Sequence, residues 1–248
     1  MNFPKALFRG AFLFWALFAA TALAASETAE VRHVLDGDTV ILRDGRHLRL
    51  LGINAPELGK DGAPDQPLAV RARDRLTQLV QHQRVTLIFE QERQDHYGRQ
   101  LAHLLLRGNS IEEILLREGL AWAIAIPPNI GRLSENLAAE KEARAAKRGV
   151  WGEAAYAPTP AEQLTSSDTG FRFIEGTVNH CAQTRHVIYL DLTPRVSLLL
   201  PRKDWSKYFT GSPCALSGQH VIARGWLTGS KKRLHMSVPH PAMLTSRE

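Results

Sequence analysis

Two runs of short, β-rich segments, separated by one stretch without periodicity, set the main constraint on how this chain folds. The separating stretch, residues 153–170, is rich in Ala, Pro, Thr and Ser, a composition typical of a linker. The chain has 248 residues, which is long enough for two small domains that each bury their own core. We therefore predict one domain over residues 29–152 and a second over residues 171–244.

The first half alternates between strand and helix patterns. Strands are predicted over Val31–Leu35, Thr39–Leu42, His47–Ile53, Arg84–Phe89 and Leu101–Leu106. Helices are predicted over Leu68–Gln81, Ser110–Glu118 and Leu133–Lys147. Ser110 is expected to cap its helix, with Glu113 completing a capping box. This half is therefore predicted to be mainly β with helices, an α+β arrangement.

The second half is again rich in strand patterns. Strands are predicted over Ile174–Val178, His186–Leu192, Val196–Leu200, Val221–Leu227 and Leu234–Val238. Five short strands with one helical interval around Trp205 fit a small Greek-key barrel, such as an OB-fold. Cys181 and Cys214 are the two cysteines of the chain, and their spacing matches neither a zinc site nor a C-x-x-C redox motif, so we predict a structural disulfide between them.

The first residues resemble an export signal. Lys5 and Arg9 precede an apolar run over residues 11–23, and Ala22-Leu23-Ala24 places small residues where a signal peptidase cuts. We predict a signal peptide over residues 1–24 and a periplasmic or secreted protein. The alternative is an uncleaved membrane anchor, although the apolar run is short for a transmembrane helix.

Three short motifs follow one another in the first half and carry the chemistry. They are Asp36-Gly37-Asp38-Thr39, then Arg49-Leu50-Leu51-Gly52-Ile53-Asn54-Ala55-Pro56-Glu57, then Asp95-His96-Tyr97-Gly98-Arg99. Each motif alone is a common turn, but their order is much more specific. Two arginines suit a phosphodiester, because a guanidinium stays charged and binds two phosphate oxygens at once.

In this order the motifs resemble the thermonuclease, or staphylococcal nuclease, family. Gly119-Leu120-Ala121 and Gly149-Val150-Trp151 match two further motifs of that family, so the resemblance covers about residues 31–151. It implies an OB-like barrel that hydrolyses DNA and RNA with calcium. By the same resemblance Arg49 and Arg99 bind phosphate, and Glu57 orients or deprotonates the attacking water.

Asp38, Asn54 and the Ala55 carbonyl are the predicted calcium ligands, since calcium takes oxygen donors. Asp36, Thr39, Asp95 and Tyr97 are predicted to hold turns around the site. Asn54 stands where the best-known member of the family has a second aspartate, so weaker calcium binding is expected.

Other features of the sequence leave the role of the second domain open. The formal net charge is +6, which favours a polyanionic partner only modestly. Lys231, Lys232 and Arg233 lie at a predicted hairpin tip and are candidates for contact with nucleic acid. The second domain thus either holds substrate near the nuclease or serves stability or partner contact. The alternatives to a nuclease are a catalytically inactive nucleic-acid-binding protein on the same fold and a scaffold for another protein.

Overall fold

The computed structural model describes residues 26–230 and 232–247 of the chain. The predicted signal peptide and Lys231 lie outside the described residues. The strands are β1 (Ser26–Val34), β2 (Thr39–Leu42), β3 (His47–Leu50), β4 (Ile53–Asn54), β5 (Arg84–Ile88), β6 (Gln100–Leu106), β7 (Asn109–Ser110), β8 (Trp122–Ala123), β9 (Thr159–Pro160), β10 (Gly170–Thr177), β11 (His180–Gln183), β12 (Val187–Thr193), β13 (Val196–Pro201), β14 (His220–Gly229), β15 (Leu234–Ser237) and β16 (Leu244–Arg247). The helices are α1 (Ala69–Val80), α2 (Ile111–Arg117), α3 (Leu133–Ala145) and α4 (Arg202–Tyr208).

The first half forms a closed barrel of five strands. β1 pairs with both β2 and β5, β2 pairs with β3, and β5 pairs with β6. The parallel pair of β3 and β6 closes the ring, with Leu48 opposite Gln100. Alternate strand residues point inward, so Leu42, Leu48 and Leu104 are fully buried together with Leu76 of α1. The predicted OB-like α+β barrel is therefore confirmed.

A turn divides the predicted strand 47–53 into β3 and β4. Gly52 has a φ of +73°, and a Cβ at this position would lie 2.5 Å from Asn136 Nδ2, so glycine meets both the backbone and the packing requirement. After the turn, β4 pairs with β8 and places Asn54 opposite Trp122. The prediction of one continuous strand was wrong because alternation alone does not reveal this change of partner.

The cap of α2 is half of the predicted capping box. Ser110 Oγ accepts a hydrogen bond from the Glu113 backbone N–H at 3.2 Å, which confirms Ser110 as the N-cap. The Glu113 carboxylate instead accepts from Arg117 Nη2 at 2.9 Å and Arg132 Nη2 at 2.7 Å. Two guanidinium donors outcompete a single backbone N–H, since hydrogen bonds between charged groups are stronger.

The second half repeats the strand order of the first. Its ladders run β12–β13–β15–β14–β10, with β13 and β15 parallel and α4 between β13 and β14 along the chain. In the first barrel β2, β3, β6, β5 and β1 follow the same order, with α1 between β3 and β5. This connectivity is that of an OB-fold. Among the described residues, no ladder joins β10 to β11 or β12, so this second barrel stays open along that edge.

A disulfide and the segment 153–170 complete the second core. Cys181 of β11 is bonded to Cys214, with 5.5 Å between their Cα atoms, which confirms the predicted bridge. Within the segment, β9 pairs in parallel with β10, and Ala161 and Leu164 are buried in the second core. The predicted domain boundaries themselves stay predictions. No helix within the described ranges is long and apolar enough to cross a membrane.

The two barrels are packed against each other around Trp122. This side chain is 2% exposed, and its ring centroid lies 4.7 Å from that of Tyr156 and 5.3 Å from that of Phe171. Ile124 and Ala125, which follow β8, are buried in the second core. The residues after Gly119-Leu120-Ala121 therefore join the domains, and no tyrosine follows that motif directly.

Candidate active site

The turn between β1 and β2 places Asp38 under the surface. Asp36 Oδ1 accepts a hydrogen bond from the Asp38 backbone N–H at 3.1 Å, an Asx-type turn. A Cβ on Gly37 would lie 2.5 Å from the Ala55 Cβ and 2.8 Å from the Ala72 Cβ. Glycine therefore lets the turn pack directly against the loop after β4. As a result Asp38 is only 2% exposed.

Asp38 and Asn54 are joined by Arg49 of β3. Arg49 forms an ion pair with Asp38 Oδ1 through Nη1, and its Nη2 donates to Asn54 Oδ1 at 2.9 Å. Asp38 Oδ2 accepts a hydrogen bond from the Ala55 backbone N–H at 2.7 Å. Thr39 Oγ1 donates to Asp38 Oδ1 at 3.1 Å. Direct hydrogen bonds and ion pairs thus join every residue of the first two motifs for which a role at the site is predicted, except Glu57, whose carboxylate is exposed at the edge of the cluster.

The parallel pair of β3 and β6 brings the second arginine beside the first. Arg49 lies opposite Leu101 in this ladder, and Arg99 stands directly before β6, two residues before Leu101, where its charge acts on Arg49. Asp95 holds Arg99 in place, because its Oδ2 accepts from Arg99 Nε at 2.8 Å and its Oδ1 from the Arg99 backbone N–H at 3.0 Å. The Nη groups of Arg99 donate no hydrogen bond within the described residues, so they remain available for an anion.

The charges around Arg49 link the three motifs electrostatically. Burial lowers the pKa of Arg49 to about 10. The negative charges of Asp36, Glu57 and Asp95 act to raise this pKa, and the positive charge of Arg99 lowers it further. Arg49 therefore remains protonated at neutral pH. Burial raises the pKa of Asp95, but hydrogen bonds from Arg99 outweigh it, so this pKa lies below its ordinary value. Asp95 is consequently ionised beside the guanidinium of Arg99.

Glu57 stands at the open side of this cluster. Its side chain is exposed, while its backbone is fixed by Gln66. The Glu57 N–H donates to Gln66 Oε1 at 2.9 Å, and the Gln66 N–H donates to the Glu57 carbonyl at 3.0 Å. Sequence reasoning missed Gln66, because nothing in the loop 58–67 marks which residue folds back. A carboxylate on a fixed backbone at the site edge can receive a proton from a bound water.

Tyr97 lies at the tip of the turn that carries Arg99. It is 74% exposed, and its backbone N–H donates to Asp95 Oδ1 at 2.9 Å. The Arg99 guanidinium carbon lies 5.5 Å from the ring centroid, within the range of a cation–π contact. The predicted structural residues Asp36, Thr39, Asp95 and Tyr97 thus all border the site.

The oxygen atoms around Arg49 fit a calcium ion in their chemistry. A carboxylate oxygen of Asp38 and an amide oxygen of Asn54 converge on one guanidinium, and Asn54 Nδ2 donates to the Ala55 carbonyl at 3.3 Å. Hard oxygens gathered around one positive charge are the donors that calcium prefers. Within residues 26–230 and 232–247, no three His, Cys, Asp or Glu side chains form a metal-binding group. Among the three candidate calcium ligands, Asp38 is the one that carries a carboxylate.

The other predicted residues lie away from this site. Lys232 and Arg233 are exposed in the connection between β14 and β15 of the second barrel. The Cys181–Cys214 bridge belongs to the same barrel. Neither feature is part of the cluster around Arg49, so any role in function must be separate from the chemistry of that cluster.

Comparisons with known proteins agree with the geometry of the first barrel. The family model described as "Staphylococcal nuclease homologue" matches residues 47–153. The chain is 35% identical over 128 residues to the thermonuclease of Staphylococcus hyicus and 36% identical over 128 residues to that of Staphylococcus intermedius. Each alignment covers 50% of this chain and 76% of the relative. Endonuclease YncB of Bacillus subtilis is 34% identical over 127 residues, 49% of this chain and 60% of that protein.

Proposed function

The chain belongs to the staphylococcal nuclease family, and from this premise we propose that it is an exported, calcium-dependent nuclease that hydrolyses phosphodiester bonds of DNA, RNA or both. A hydrolase of the nuclease type is what the family and its thermonuclease relatives support directly. The observation that carries the proposal is the meeting of Arg49 and Arg99 beside the oxygens of Asp38 and Asn54. Export rests on the sequence of residues 1–24 and on the disulfide, which is typical of oxidising compartments.

The two arginines would bind the scissile phosphate. A phosphodiester carries one negative charge, and attack at phosphorus adds a second in the transition state. Arg99 offers its Nη groups to the phosphate oxygens, while Asp95 holds its Nε. Arg49, which is 11% exposed, supplies a second positive charge. Donors fixed before the reaction stabilise the developing charge without reorganising, which makes them effective catalysts.

Glu57 would act on the attacking water. Its carboxylate is exposed, and its charge acts on that of Arg49. A water placed between Glu57 and the bound phosphate can therefore lose its proton to the carboxylate as it attacks phosphorus. The P–O bond to the leaving sugar oxygen then breaks, and that oxygen takes up a proton from solvent. Gln66 fixes the backbone of Glu57 from two sides, which keeps this carboxylate at the edge of the site.

Asp38, Asn54 and Ala55 would hold calcium. A calcium ion held by these residues would supply Lewis acidity toward a phosphoryl oxygen. The part played by the chain is to fix the ligand oxygens, because Asp38 is locked by the Ala55 N–H and Thr39 Oγ1. Because Asn54 stands where the best-known member of the family has an aspartate, the ligand set carries one negative charge fewer to attract the cation.

Removal of calcium tests the proposed activity. The protein starting at residue 25 should cut single-stranded DNA in a calcium titration, and EDTA should abolish cutting, because the phosphate would lose its Lewis acid. Added calcium should restore it. Absence of cleavage at every calcium concentration, with DNA binding intact, would contradict the enzyme and leave a nucleic-acid-binding protein on the same fold.

Asn54→Asp should increase calcium affinity. An aspartate keeps the acceptor for Arg49 Nη2 and adds one negative charge to the ligand set. We expect the calcium concentration for half-maximal cleavage to fall roughly tenfold, as checked by titration and by calorimetry of calcium binding. Asn109→Asp makes the same charge change at an exposed residue of β7 and should leave both values unaltered. An unchanged midpoint in Asn54→Asp would remove residue 54 from the ligand set.

A further inference from the structure

The positive charge of this chain is concentrated in its second barrel. Residues 171–248 contain 11 Lys and Arg against 4 Asp and Glu, a formal charge of +7. Residues 25–170, which include the candidate active site, contain 18 Lys and Arg against 21 Asp and Glu, a formal charge of −3. A polyanion is therefore attracted mainly to the barrel that lacks the catalytic cluster. Charge asymmetry of this kind is the electrostatic signature of a nucleic-acid-binding module.

One end of the second barrel collects basic side chains from two connections. Arg195 lies in the turn between β12 and β13, and Lys232 and Arg233 lie in the hairpin between β14 and β15. The two connections are neighbours, because β13 and β15 run in parallel with Val196 opposite Leu234, and the Leu234 N–H donates to the Arg195 carbonyl at 2.7 Å. All three basic side chains are exposed. We call this set the basic end.

The outer face beside the basic end carries aromatic side chains. Leu190 and Leu227 are fully buried, so their neighbours Tyr189 on β12 and Trp226 on β14 point outward. Trp226 is 37% exposed. The order β12–β13–β15–β14 separates the two aromatics by three strand spacings, about 14 Å. In an OB-fold this face and the connection between its last two strands are suited to binding an oligonucleotide.

One acidic group on the same face, Asp191, is already compensated. Asp191 Oδ1 accepts from Ser197 Oγ at 2.6 Å, and Asp191 Oδ2 lies 3.0 Å from His180 Nδ1. Its carboxylate is therefore engaged by two neighbours of the same sheet and adds less repulsion toward an approaching phosphate.

A row of aromatic contacts leads from this face toward the candidate active site. The Trp226 ring lies 5.1 Å from that of Phe171, and the Phe171 ring lies 5.3 Å from that of Trp122. Trp122 is paired in the β4–β8 ladder with Asn54, one of the proposed calcium ligands. The outer face of the second barrel is thus connected through packed side chains to the strand that carries Asn54.

We propose that the outer face of the second barrel, from the basic end to Trp226, binds single-stranded nucleic acid and holds the substrate for cleavage by the first barrel. This inference rests on the proposed nuclease function. Lys232, Arg233 and Arg195 contact backbone phosphates, and Tyr189 and Trp226 stack on bases, a combination that binds strands with little sequence preference. The first barrel, whose formal charge is negative, then attracts the strand little, and the second barrel supplies most of the affinity for nucleic acid.

The test is binding of a fluorescent single-stranded DNA 20-mer in EDTA, where cleavage does not interfere. Lys232→Ala/Arg233→Ala should weaken binding, and the slope of log K against log salt should become shallower by about 1.4, since each lost phosphate contact contributes about 0.7. The matched control is Lys203→Ala/Lys207→Ala, which removes the same charge from exposed positions of α4, after the far end of β13. The control should keep the slope of the unaltered protein.

Substitution of Trp226 tests the stacking contact separately. Trp226→Leu keeps an apolar side chain against Phe171 but loses the aromatic face, and should weaken DNA binding roughly 5- to 150-fold. Trp226→Phe should recover most of the affinity, which a purely structural role of Trp226 does not predict. Circular dichroism of all variants confirms that the fold is kept.

Three results would overturn the inference. They are equal slopes in the two double variants, binding that is unchanged in both, and equal affinity in Trp226→Leu and Trp226→Phe. Failure of the nuclease proposal has a different signature, namely absence of cleavage in calcium together with the expected binding differences in EDTA. With an active enzyme, the KM for the 20-mer should rise in Lys232→Ala/Arg233→Ala while kcat on a dinucleotide stays constant.

Discussion

Glu57→Gln is expected to lower kcat for cleavage of single-stranded DNA by about 10²- to 10⁴-fold, the range found when a general base is removed. Glutamine matches glutamate in size and keeps the backbone hydrogen bonds to Gln66, but it cannot accept the proton of the attacking water. Binding of DNA should change little, because contact with the scissile phosphate is assigned to Arg49 and Arg99 and most of the DNA affinity is assigned to the second barrel. The measurement is kcat and KM at saturating calcium, with DNA affinity measured separately in EDTA.

Glu92→Gln is the matched control for this substitution. Glu92 is an exposed glutamate of the same barrel, and its backbone rather than its carboxylate is held, by Asn129. The same loss of charge at this position should leave kcat within about twofold, since it removes no group from the reaction. Equal rates in Glu57→Gln and the unaltered protein would show that another group, or solvent, accepts the proton.

The candidate catalytic cluster was largely predictable because its residues lie in short motifs. Asp38 is held by Thr39, Arg49 and the Ala55 N–H, and Arg99 is held by Asp95, so each of these partners lies in one of the three motifs. The parallel pair of β3 and β6 brings the motif of Arg99 beside that of Arg49. The order of the motifs along the chain was enough to predict that they form one site. Local sequence thus carried enough information for the side chains that perform the proposed chemistry.

Contacts between distant segments were not predictable in the same way. Gly52 breaks a regular alternation because of Asn136, which lies in α3, far along the chain. Gln66 is one polar residue among several in its loop. The close docking of the barrels also depends on partners such as Arg224 and Glu140, whose pairing has no signature in either local pattern. Such features follow from tertiary packing, which overrides local propensity.

Arg224 and Glu140 form a buried ion pair between the two barrels. Arg224 of β14 and Glu140 of α3 have 9% and 7% of their side chains exposed, and Arg224 Nη1 lies 2.7 and 2.8 Å from the two carboxylate oxygens. Glu140 Oε1 also accepts from the Ala123 N–H at 2.8 Å, and Arg224 Nη2 donates to the Ala242 carbonyl at 3.2 Å. Each charge is therefore satisfied only while the other is present.

Arg224→Met should lower the free energy of unfolding by about 3–5 kcal/mol, because the buried Glu140 carboxylate loses its partner. Glu140→Gln should have a similar cost, since Arg224 is then left buried and unpaired. The double variant should recover much of the loss, because neither charge remains and the introduced side-chain amide still offers an oxygen to the Ala123 N–H. Urea denaturation of the four proteins measures this as a double-mutant cycle.

Arg43→Met provides the contrast for an exposed ion pair. Arg43 has 75% of its side chain exposed beside Glu30, and its loss should change the free energy of unfolding by less than about 1 kcal/mol.

The Arg224–Glu140 pair should also affect the candidate active site, because Ala123 lies in β8 opposite Ile53, the residue before Asn54. Both single variants are thus expected to require more calcium for half-maximal cleavage, whereas Arg43→Met is not. Single variants as stable as Arg43→Met would mean that apolar packing around Trp122 alone holds the barrels together.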